Sequence, residues 1–421
     1  MSWLRRNQRW VVAGLLCLVT IINYIDRQTL SVIAPIISKE FGWTDVEYSY
    51  VTTSFLIAYV IGQALSGIVM DKLGTRVGFA VILTWWSIAT ICHRFASGVF
   101  SFSFWRAMLG LGEAGNWPGA IKSIAEWFPQ KERGFATAIF NLGSSTGAII
   151  APPLIVWINI HFGWRNAFLL AGSLGFVWLI LWMVFYYLPR QHPWITPEEL
   201  RHIESGQESA VGPERTESLP WLSLLGYRQV WGMLIPRFLS EPVWWFYLFW
   251  LPKYLVEKRG MSMTEMALVA LVPYITADIG CLAGGGISSL LIARGWTVNK
   301  ARKTVMVTAA FLMPAVLFVF KAESAWVAVA LISLATFAHQ AWSTNMLTLP
   351  ADLFPPRVVA SVTGLGGLGI SASAIAQLSI GYVVANFSYA PVFTAAGLLH
   401  PLAAIIMLLL VGKIQQTEVR G

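Results

Sequence analysis

The chain has 421 residues, of which 56% are hydrophobic and only 12% are charged. A soluble domain carries about 25% charged residues, so this composition excludes an ordinary soluble protein. Apolar stretches of roughly 20 residues, the length that crosses a bilayer, recur along the whole sequence. The composition therefore predicts an all-α polytopic membrane protein.

Twelve stretches are predicted to cross the membrane as helices. In chain order they are residues 10–37, 46–70, 77–97, 99–127, 131–159, 165–188, 227–256, 264–293, 298–320, 325–352, 357–385 and 389–412. Most of the 29 Lys and Arg residues fall in the loops on the side of the N-terminus, and such a bias marks the cytoplasmic side. We therefore expect both termini in the cytoplasm. We also expect the net charge of +8 to reflect topology and not binding to nucleic acid.

The first predicted span contains "IINYIDRQTLSVIAP", with Asp26 and Arg27 near its middle. A charge at the bilayer centre costs about 2.5–3.5 kcal/mol, so these side chains should face a partner or a water-filled cavity. The fourth span, "FWRAMLGLGEAGNWPGAIKSIAEWFP", adds Arg106 and Glu113 two helical turns apart on one face. A purely structural ion-pair network is the alternative, but such networks often stabilise no better than apolar residues.

These four charges sum to zero, so an organic anion entering among them would leave the site negative. Protonation of one carboxylate would restore neutrality, and anion binding should therefore be coupled to proton binding. Asp26 and Glu113 are the candidate proton carriers. Glu113, two turns from Arg106, is expected to titrate first, and Asp26, adjacent to Arg27, is expected to stay charged longer.

A polar interruption separates the sixth span from the seventh. It divides the chain into an N-terminal six-helix bundle (1–188), a cytoplasmic linker loop (189–226) and a C-terminal six-helix bundle (227–421). The segments "AEWFPQKERG" and "ADLFPPRVVA" form an internal repeat, and aligning Pro129 with Pro355 sets Glu113 opposite His339. Two diverged halves predict a site near the midplane of the membrane, and His339 is a candidate substrate-binding residue there.

Other polar and aromatic residues near the middle of the predicted spans are candidates for binding the hydroxyl groups of a substrate. They are Tyr59, Asn141, Ser144, Gln340, Asn345, Ser371 and Gln377, with Trp244, Trp245 and Tyr247 as an aromatic wall. Each alone is better explained by an ordinary interhelical hydrogen bond or by aromatic packing, but together they suit a polyhydroxylated anion. His400 is interpreted as a packing residue. The three Cys residues show no metal-ligand spacing, so no disulfide, metal or other cofactor is expected.

The loop after the second span reads "GIVMDKLGTR" and is similar to the signature of the major facilitator superfamily between its second and third helices. The resemblance implies the major facilitator fold, with twelve transmembrane helices in two six-helix bundles. It also implies a gating role for the residues of this motif. They are Gly67, Asp71, Lys72, Gly74 and Arg76.

Within that superfamily the chain resembles the anion:cation symporter family through "NYIDR", "EWFP" and "FGWRNAF". The segments "GEAGNWPGAIKSIAEWFP", "WWFYLFWLPKYL" and "HQAWSTN" resemble bacterial hexuronate transporters. The resemblance implies that Arg27 binds the substrate carboxylate near Tyr59, that Asp26 and Glu113 carry the proton, and that Arg106 orders the site. Glu241 departs from the pattern, because Asp is expected there.

We therefore expect proton-coupled symport of a sugar-acid anion, first of all a hexuronate, by alternating access. The protein is expected to be a monomer among the lipids of a bacterial inner membrane. An aldonate or aldarate symporter and a transporter-like receptor are the alternatives. A drug:proton antiporter is disfavoured by the two arginines. A membrane enzyme is disfavoured because the sequence offers neither a nucleophile–base pair nor a metal cluster.

Overall fold

The computed structural model describes residues 7–208, 221–354, 362–363, 365 and 368–415. The chain groups into two compact units. The first comprises Met1–Gly42 and Tyr50–Arg215, and the second comprises Trp43–Ser49 and Thr216–Gly421. The predicted division into residues 1–188, 189–226 and 227–421 stays a prediction.

The first unit is built from helices connected by short turns. They are α1 (Gln8–Phe41), α2 (Asp45–Cys92), α3 (Val99–Glu113), α4 (Asn116–Trp127), α5 (Gln130–Phe162), α6 (Trp164–Phe185) and α7 (Pro197–Glu208). Two 3₁₀ turns, His93–Phe95 and Pro189–Gln191, join these elements. The long helix α1 packs against α5 and α6, so the predicted charges of its middle turns are enclosed by protein.

The second unit is also built from helices. Its helices are α8 (Trp221–Leu224), α9 (Arg228–Arg259), α10 (Met263–Val269), α11 (Leu271–Ala293), α12 (Val298–Leu312), α13 (Ala325–Leu353), α14 (Leu368–Asn386) and α15 (Ala390–Val411). A 3₁₀ segment, Met313–Lys321, continues α12. Helix α11 packs along α13, and α9 packs along α14 and α15.

The first turn of α2 belongs to the second unit, whereas the rest of that helix belongs to the first. Two contacts account for this. Lys253 of α9 forms an ion pair with Asp45, and the hydroxyl of Tyr48 donates to the carbonyl of Phe249 at 2.7 Å. The predicted second span, residues 46–70, therefore begins in one compact unit and ends in the other.

Eight helical stretches among the described residues are long and apolar enough to cross a membrane. They are Gln8–Phe41, Lys72–Phe95, Ala136–Phe162, Trp164–Phe185, Met263–Ala293, Val298–Lys321, Ala325–Leu353 and Ala390–Val411. The all-α membrane fold is confirmed, and the count of twelve spans stays a prediction. Ile180 is 65% exposed and Leu282 is 77% exposed, as side chains facing lipid would be.

The fourth predicted span is interrupted just after Glu113, where α3 ends and α4 begins at Asn116. Gly110 lies against the backbone of α2, where a Cβ atom would overlap the carbonyl oxygen of Phe55. Small residues permit such close approach between membrane helices. The glycine-rich sequence therefore brings α2 and α3 together beside Glu113.

The start of α1 is held by the linker helix α7. The carboxylate of Glu199 accepts from the backbone N–H groups of Gln8 and Arg9 at 3.0 and 3.1 Å. It also pairs with the Arg9 side chain at 3.2 Å. The hydroxyl of Thr196 accepts from the N–H of Glu199 at 3.3 Å at the start of α7. A helix has donors without partners in its first turn, and here another helix satisfies two of them.

Candidate functional site

The four charges predicted in the first and fourth spans meet in the first unit. Arg27 donates from Nε to Oε2 of Glu113 at 2.8 Å and from Nη2 to Oδ1 of Asn23 at 3.1 Å. Arg106 donates from Nη1 to the carbonyl of Arg27 at 3.2 Å. Asp26, Arg106 and Glu113 are fully buried, and Arg27 is 3% exposed. The cluster therefore holds charged groups in the protein interior.

The pairing within the cluster differs from the sequence expectation. Arg27 pairs with Glu113 of α3 and not with its neighbour Asp26. Consecutive side chains on a helix point in different directions, whereas residues four apart, such as Asn23 and Arg27, share a face. Among the described residues, Asp26 has no hydrogen-bond partner, although the indole of Trp86 faces it at longer range. Within the described part of the chain, Arg27 thus pairs with Glu113 and Asp26 forms no ion pair.

Aromatic rings enclose the guanidinium of Arg27. The distances from its Cζ to the ring centroids are 4.9 Å for Tyr24, 5.4 Å for Phe55 and 5.2 Å for Tyr59. Ring faces attract a cation, and more strongly when water is excluded. Phe55 also lies under Arg106, at 4.7 Å from that guanidinium. The ring faces therefore contact both guanidinium groups without neutralising their charge.

This arrangement can exchange one anion for another on Arg27. The guanidinium has a planar fork of donors that matches a carboxylate. One of its nitrogens is held by Glu113, so an incoming carboxylate would compete with that side chain. Oε1 of Glu113 has no hydrogen-bond partner among the described residues. Displacement would leave a buried carboxylate without its cation, which is strongly unfavourable unless a proton is taken up.

The predicted gating motif lies where α2 bends. Gly74 has φ 73° and ψ 162°, a conformation that is essentially restricted to glycine. Arg76 donates to the carbonyl of Met183 at 2.6 Å and stacks over the ring of Tyr187 at 3.9 Å. Lys72 and Gly74 are exposed, and Gly67 is half-buried. The side chain of Asp71 lies outside the described part, so the motif's gating role stays a prediction.

A second polar cluster lies in the second unit. His339 of α13 and His400 of α15 are joined by a hydrogen bond of 3.0 Å between Nδ1 and Nε2. Trp244 of α9 stacks on the ring of His339 with centroids 5.7 Å apart and an interplanar angle of 8°. Trp342 meets His400 edge-on at 6.1 Å. The sequence predicted His339 and Trp244 as site residues and interpreted His400 as packing.

The other predicted site residues are placed differently. Asn345 is buried and donates to the carbonyls of Gly284 and Ala341, while its Oδ1 accepts from Arg302 at 3.2 Å. Such bonds fit the alternative of an interhelical hydrogen bond.

The remaining candidates lie outside both clusters described above. Tyr247 is buried against Phe246 and Phe393, Asn141 is exposed, and Gln340 and Ser371 are half-buried. Their binding roles stay predictions.

Several residues at the two clusters were not predicted as site residues from the sequence. Asn23 was detectable, because it lies four residues before Arg27 on the same helical face. Trp86 and Phe55 carry no signal in the sequence beyond being aromatic. His400 precedes a proline in an apolar span, and only the packing of α13 against α15 reveals its hydrogen bond to His339.

Known proteins resemble the chain over almost its full length. It is 34% identical over 407 residues to the hexuronate transporter of Escherichia coli strain K12, covering 96% of this chain and 94% of that protein. It is 33% identical over 436 residues to a probable galactarate/D-glucarate transporter of Bacillus subtilis strain 168, with coverage of 99% and 94%. The crystal structure of a D-xylose-proton symporter matches with a TM-score of 0.73 at 17% identity, covering 96% and 98% of the two chains.

The relatives are named as transporters, which confirms the expectation of a transporter and not an enzyme. The resemblance stated from the sequence motifs is likewise confirmed. Residues 16–377 match the family described as Major Facilitator Superfamily. The chain belongs to the Major Facilitator Superfamily and is a membrane protein of the transporter fold.

Proposed function

We propose that the protein is a proton-coupled symporter that carries a sugar-acid anion, first of all a hexuronate, by alternating access. The observation that carries this proposal is the buried ion pair of 2.8 Å between Arg27 and Glu113, next to Asp26, whose carboxylate has no hydrogen-bond partner among the described residues. The proposed setting is a bacterial inner membrane, with both termini in the cytoplasm and a monomeric protein surrounded by lipid.

The proposed coupling follows from charge balance. Asp26, Arg27, Arg106 and Glu113 together carry no net charge when all are ionised. A sugar-acid carboxylate that takes the place of Glu113 on Arg27 adds one negative charge to a buried site. Uptake of one proton by a carboxylate removes it. Binding of the anion and of the proton therefore favour each other, as linkage requires.

In the proposed mechanism, some residues of the cluster bind the substrate or the proton, and others hold those residues in position. Arg27 receives the carboxylate, with Tyr59 at its edge, and Asp26 and Glu113 take up the proton. Arg106 orders the backbone of α1 through its bond to the carbonyl of Arg27. Asn23 accepts from Nη2 of the same guanidinium.

The hexuronate assignment is supported by similarity to the hexuronate transporter of E. coli. An aldarate is the second candidate, because the similarity to the probable galactarate/D-glucarate transporter is nearly equal. These substrates differ in chemistry, since an aldarate carries a carboxylate at both ends. The number of negative charges that accompany each proton would therefore differ.

Competition in proteoliposomes tests the substrate class. Proteoliposomes that contain the purified protein are preloaded with radiolabelled galacturonate and diluted into galacturonate, glucuronate, galactonate or glucarate. Efflux of the label by exchange is then followed. We expect the two hexuronates to accelerate efflux most. Preferential exchange with glucarate would support the aldarate, and no exchange with any sugar acid would contradict the proposal.

A further inference from the structure

A groove lies in the second unit between α14 and α15. Both helices pack on α9, and they pack only weakly on each other. A cavity of about 270 Å³ remains between them, and Phe246 of α9, Ser379 of α14 and Ala395 of α15 are among the residues that line it. Small-molecule sites span about 300–1,000 Å³, so the groove has room for part of a slender molecule.

The lining of the groove offers few hydrogen-bonding groups to an incoming molecule. Among the described residues that line it, Ser379 alone has a polar side chain, and its hydroxyl donates to the carbonyl of Ile375 at 3.2 Å. A sugar or a sugar acid would lose its hydrogen bonds to water here without replacement. That loss costs about 2–7 kcal/mol for each polar group, so the groove suits a hydrocarbon and not a second sugar.

The groove opens between two exposed apolar helix faces. On α14, Ile375 and Tyr382 flank Ser379 and are 62% and 59% exposed. On α15, exposed side chains continue the face of Ala395 at intervals of three or four residues, a spacing that keeps them on one side of the helix. They are Leu398, Leu402, Ile405 and Leu409, which are 46–62% exposed. Because α15 is apolar and long enough to cross a membrane, this side faces the hydrocarbon of the bilayer.

The groove also reaches the ends of the two helices. Val383, in the last turn of α14, and Pro391, in the first turn of α15, both line it. Tyr382 beside Val383 is exposed, and tyrosine is enriched where a membrane meets water. A molecule in the groove can thus keep one end at the level of the lipid headgroups.

We propose that the groove binds one acyl chain of a membrane phospholipid, with the headgroup at the end of α14 and the start of α15. The hydrophobic effect does not favour the groove over the bilayer, because lipid tails are equally apolar. Shape favours it, because an unfilled gap forfeits the dispersion contacts that close-packed atoms make. A flexible acyl chain restores those contacts. An α-helix is about 10–12 Å across with its side chains, so one turn of a second copy would exceed the volume of the groove.

Photolabelling of the wild type tests the site. The purified protein is reconstituted in phosphatidylcholine vesicles that contain a small fraction of phosphatidylcholine with a diazirine in one acyl chain. After irradiation, mass spectrometry locates the labelled residues. We expect labelling around Ser379 and Ala395 to exceed labelling around Leu282 of α11, which is 77% exposed and lies outside the groove. Equal labelling of the two regions would show only the boundary contact that any lipid-facing helix makes, and would overturn the proposal.

A variant that fills the groove provides the second test. Ala395 is exposed, so Ala395→Phe adds a ring to the groove without displacing a packed side chain. Labelling around Ser379, on the opposite wall, should then fall to the level seen around Leu282. Leu282→Phe is the matched control and should leave labelling around Ser379 unchanged.

Two results would contradict the site. Labelling around Ser379 that is the same in Ala395→Phe and in the wild type would show that the acyl chain does not lie in the groove. Weak labelling of the groove together with cross-links between two copies through α15 would assign it to a second copy of the chain. The proposal needs only the membrane fold, so failure of sugar-acid exchange in these vesicles would overturn the proposed function and leave the acyl-chain site standing.

Discussion

The proposed role of Arg27 depends on one contact that a substrate carboxylate would replace and on others that it would leave in place. Its bond to Glu113 joins two charged side chains at 2.8 Å, and a carboxylate of the ligand offers the same chemistry. Its contacts with Asn23 and with the rings of Tyr24 and Tyr59 remain available in either state. The arginine can therefore change its anionic partner without leaving its position.

Glu113→Gln tests the proton role of the carboxylate. The amide keeps the shape of the side chain but cannot bind or release a proton, so accumulation of galacturonate driven by a pH gradient should be lost. Exchange of galacturonate across the membrane needs no net proton movement and should persist. Uptake and exchange are measured in the same proteoliposomes. Undiminished accumulation in this variant would show that Glu113 is not required to couple anion transport to proton transport.

Arg27→Lys tests the carboxylate contact. Lysine keeps the charge but not the planar fork of donors, and it cannot bond two partners in the geometry observed. We expect the apparent affinity for galacturonate to fall at least about tenfold, or 1.4 kcal/mol. The concentration dependence of exchange measures it. An affinity close to that of the wild type would show that the guanidinium does not bind the substrate.

The residues of the charged cluster were predictable, but their pairing was not. A charge in an apolar span is visible in the sequence because it is costly there. Which acid meets Arg27 depends on the rotation of α1 against α3, and the sequence order suggested Asp26 where the structure has Glu113. Asn23 follows from helical spacing once Arg27 is known. The positions of Trp86 and His400 in the clusters depend on contacts between distant segments of the chain. Such contacts cannot be inferred from a single sequence.

At the scale of the helices, α7 acts as a cap for α1. Glu199 is 4% exposed and satisfies two backbone donors at the start of α1. Its negative charge also lies at the positive end of the helix dipole. The linker helix is thus part of the first unit and stabilises the element that carries Asp26 and Arg27.

Glu199→Gln should lower the stability of the purified protein. Hydrogen bonds to a buried charged group contribute about 1.5–3 kcal/mol, and the amide loses the charge and one acceptor. Glu204→Gln on the same helix is the matched control. Its partner Arg190 is 81% exposed, and such surface pairs contribute little. Thermal unfolding in detergent gives the melting temperatures of both variants. Equal melting temperatures for the two would show that the contact of Glu199 with α1 is not stabilising.

Gly110→Ala should separate α2 from α3. The added Cβ would overlap the carbonyl oxygen of Phe55, and backbone cannot yield as a side chain does. Overpacking of this kind costs about 1–3 kcal/mol, so the melting temperature and the rate of exchange should both fall. Gly14→Ala in α1 is the control, because no atom lies within 4 Å of its added Cβ. Similar effects of the two substitutions would contradict the close contact.

The existence of most helices was predictable from hydropathy, and their interruptions were only partly so. The fourth span was predicted as one stretch, residues 99–127, whereas α3 ends at Glu113 and α4 begins at Asn116. The bend of α2 at Gly74 lies within the recognised motif, but its conformation required the structure. The assignment of Trp43–Ser49 to the second unit depends on Lys253 and Phe249, some 200 residues away in the chain.

At the scale of the molecule, each unit presents a different kind of polar interior. The first holds two acids and two arginines, and the second holds a hydrogen-bonded pair of histidines beside indole rings. The family and the membrane fold could be predicted from composition and one motif. Substrate stereochemistry could not, because it depends on the positions of individual hydroxyl partners.

Accumulation of radiolabelled galacturonate in proteoliposomes under an imposed pH gradient tests the central claim, the coupling of anion and proton, most directly. With a more acidic exterior and the membrane potential clamped, the wild type should concentrate galacturonate inside the vesicles, and a protonophore should abolish the accumulation. Accumulation that is the same with or without the pH gradient, and that the protonophore does not abolish, would contradict the claim.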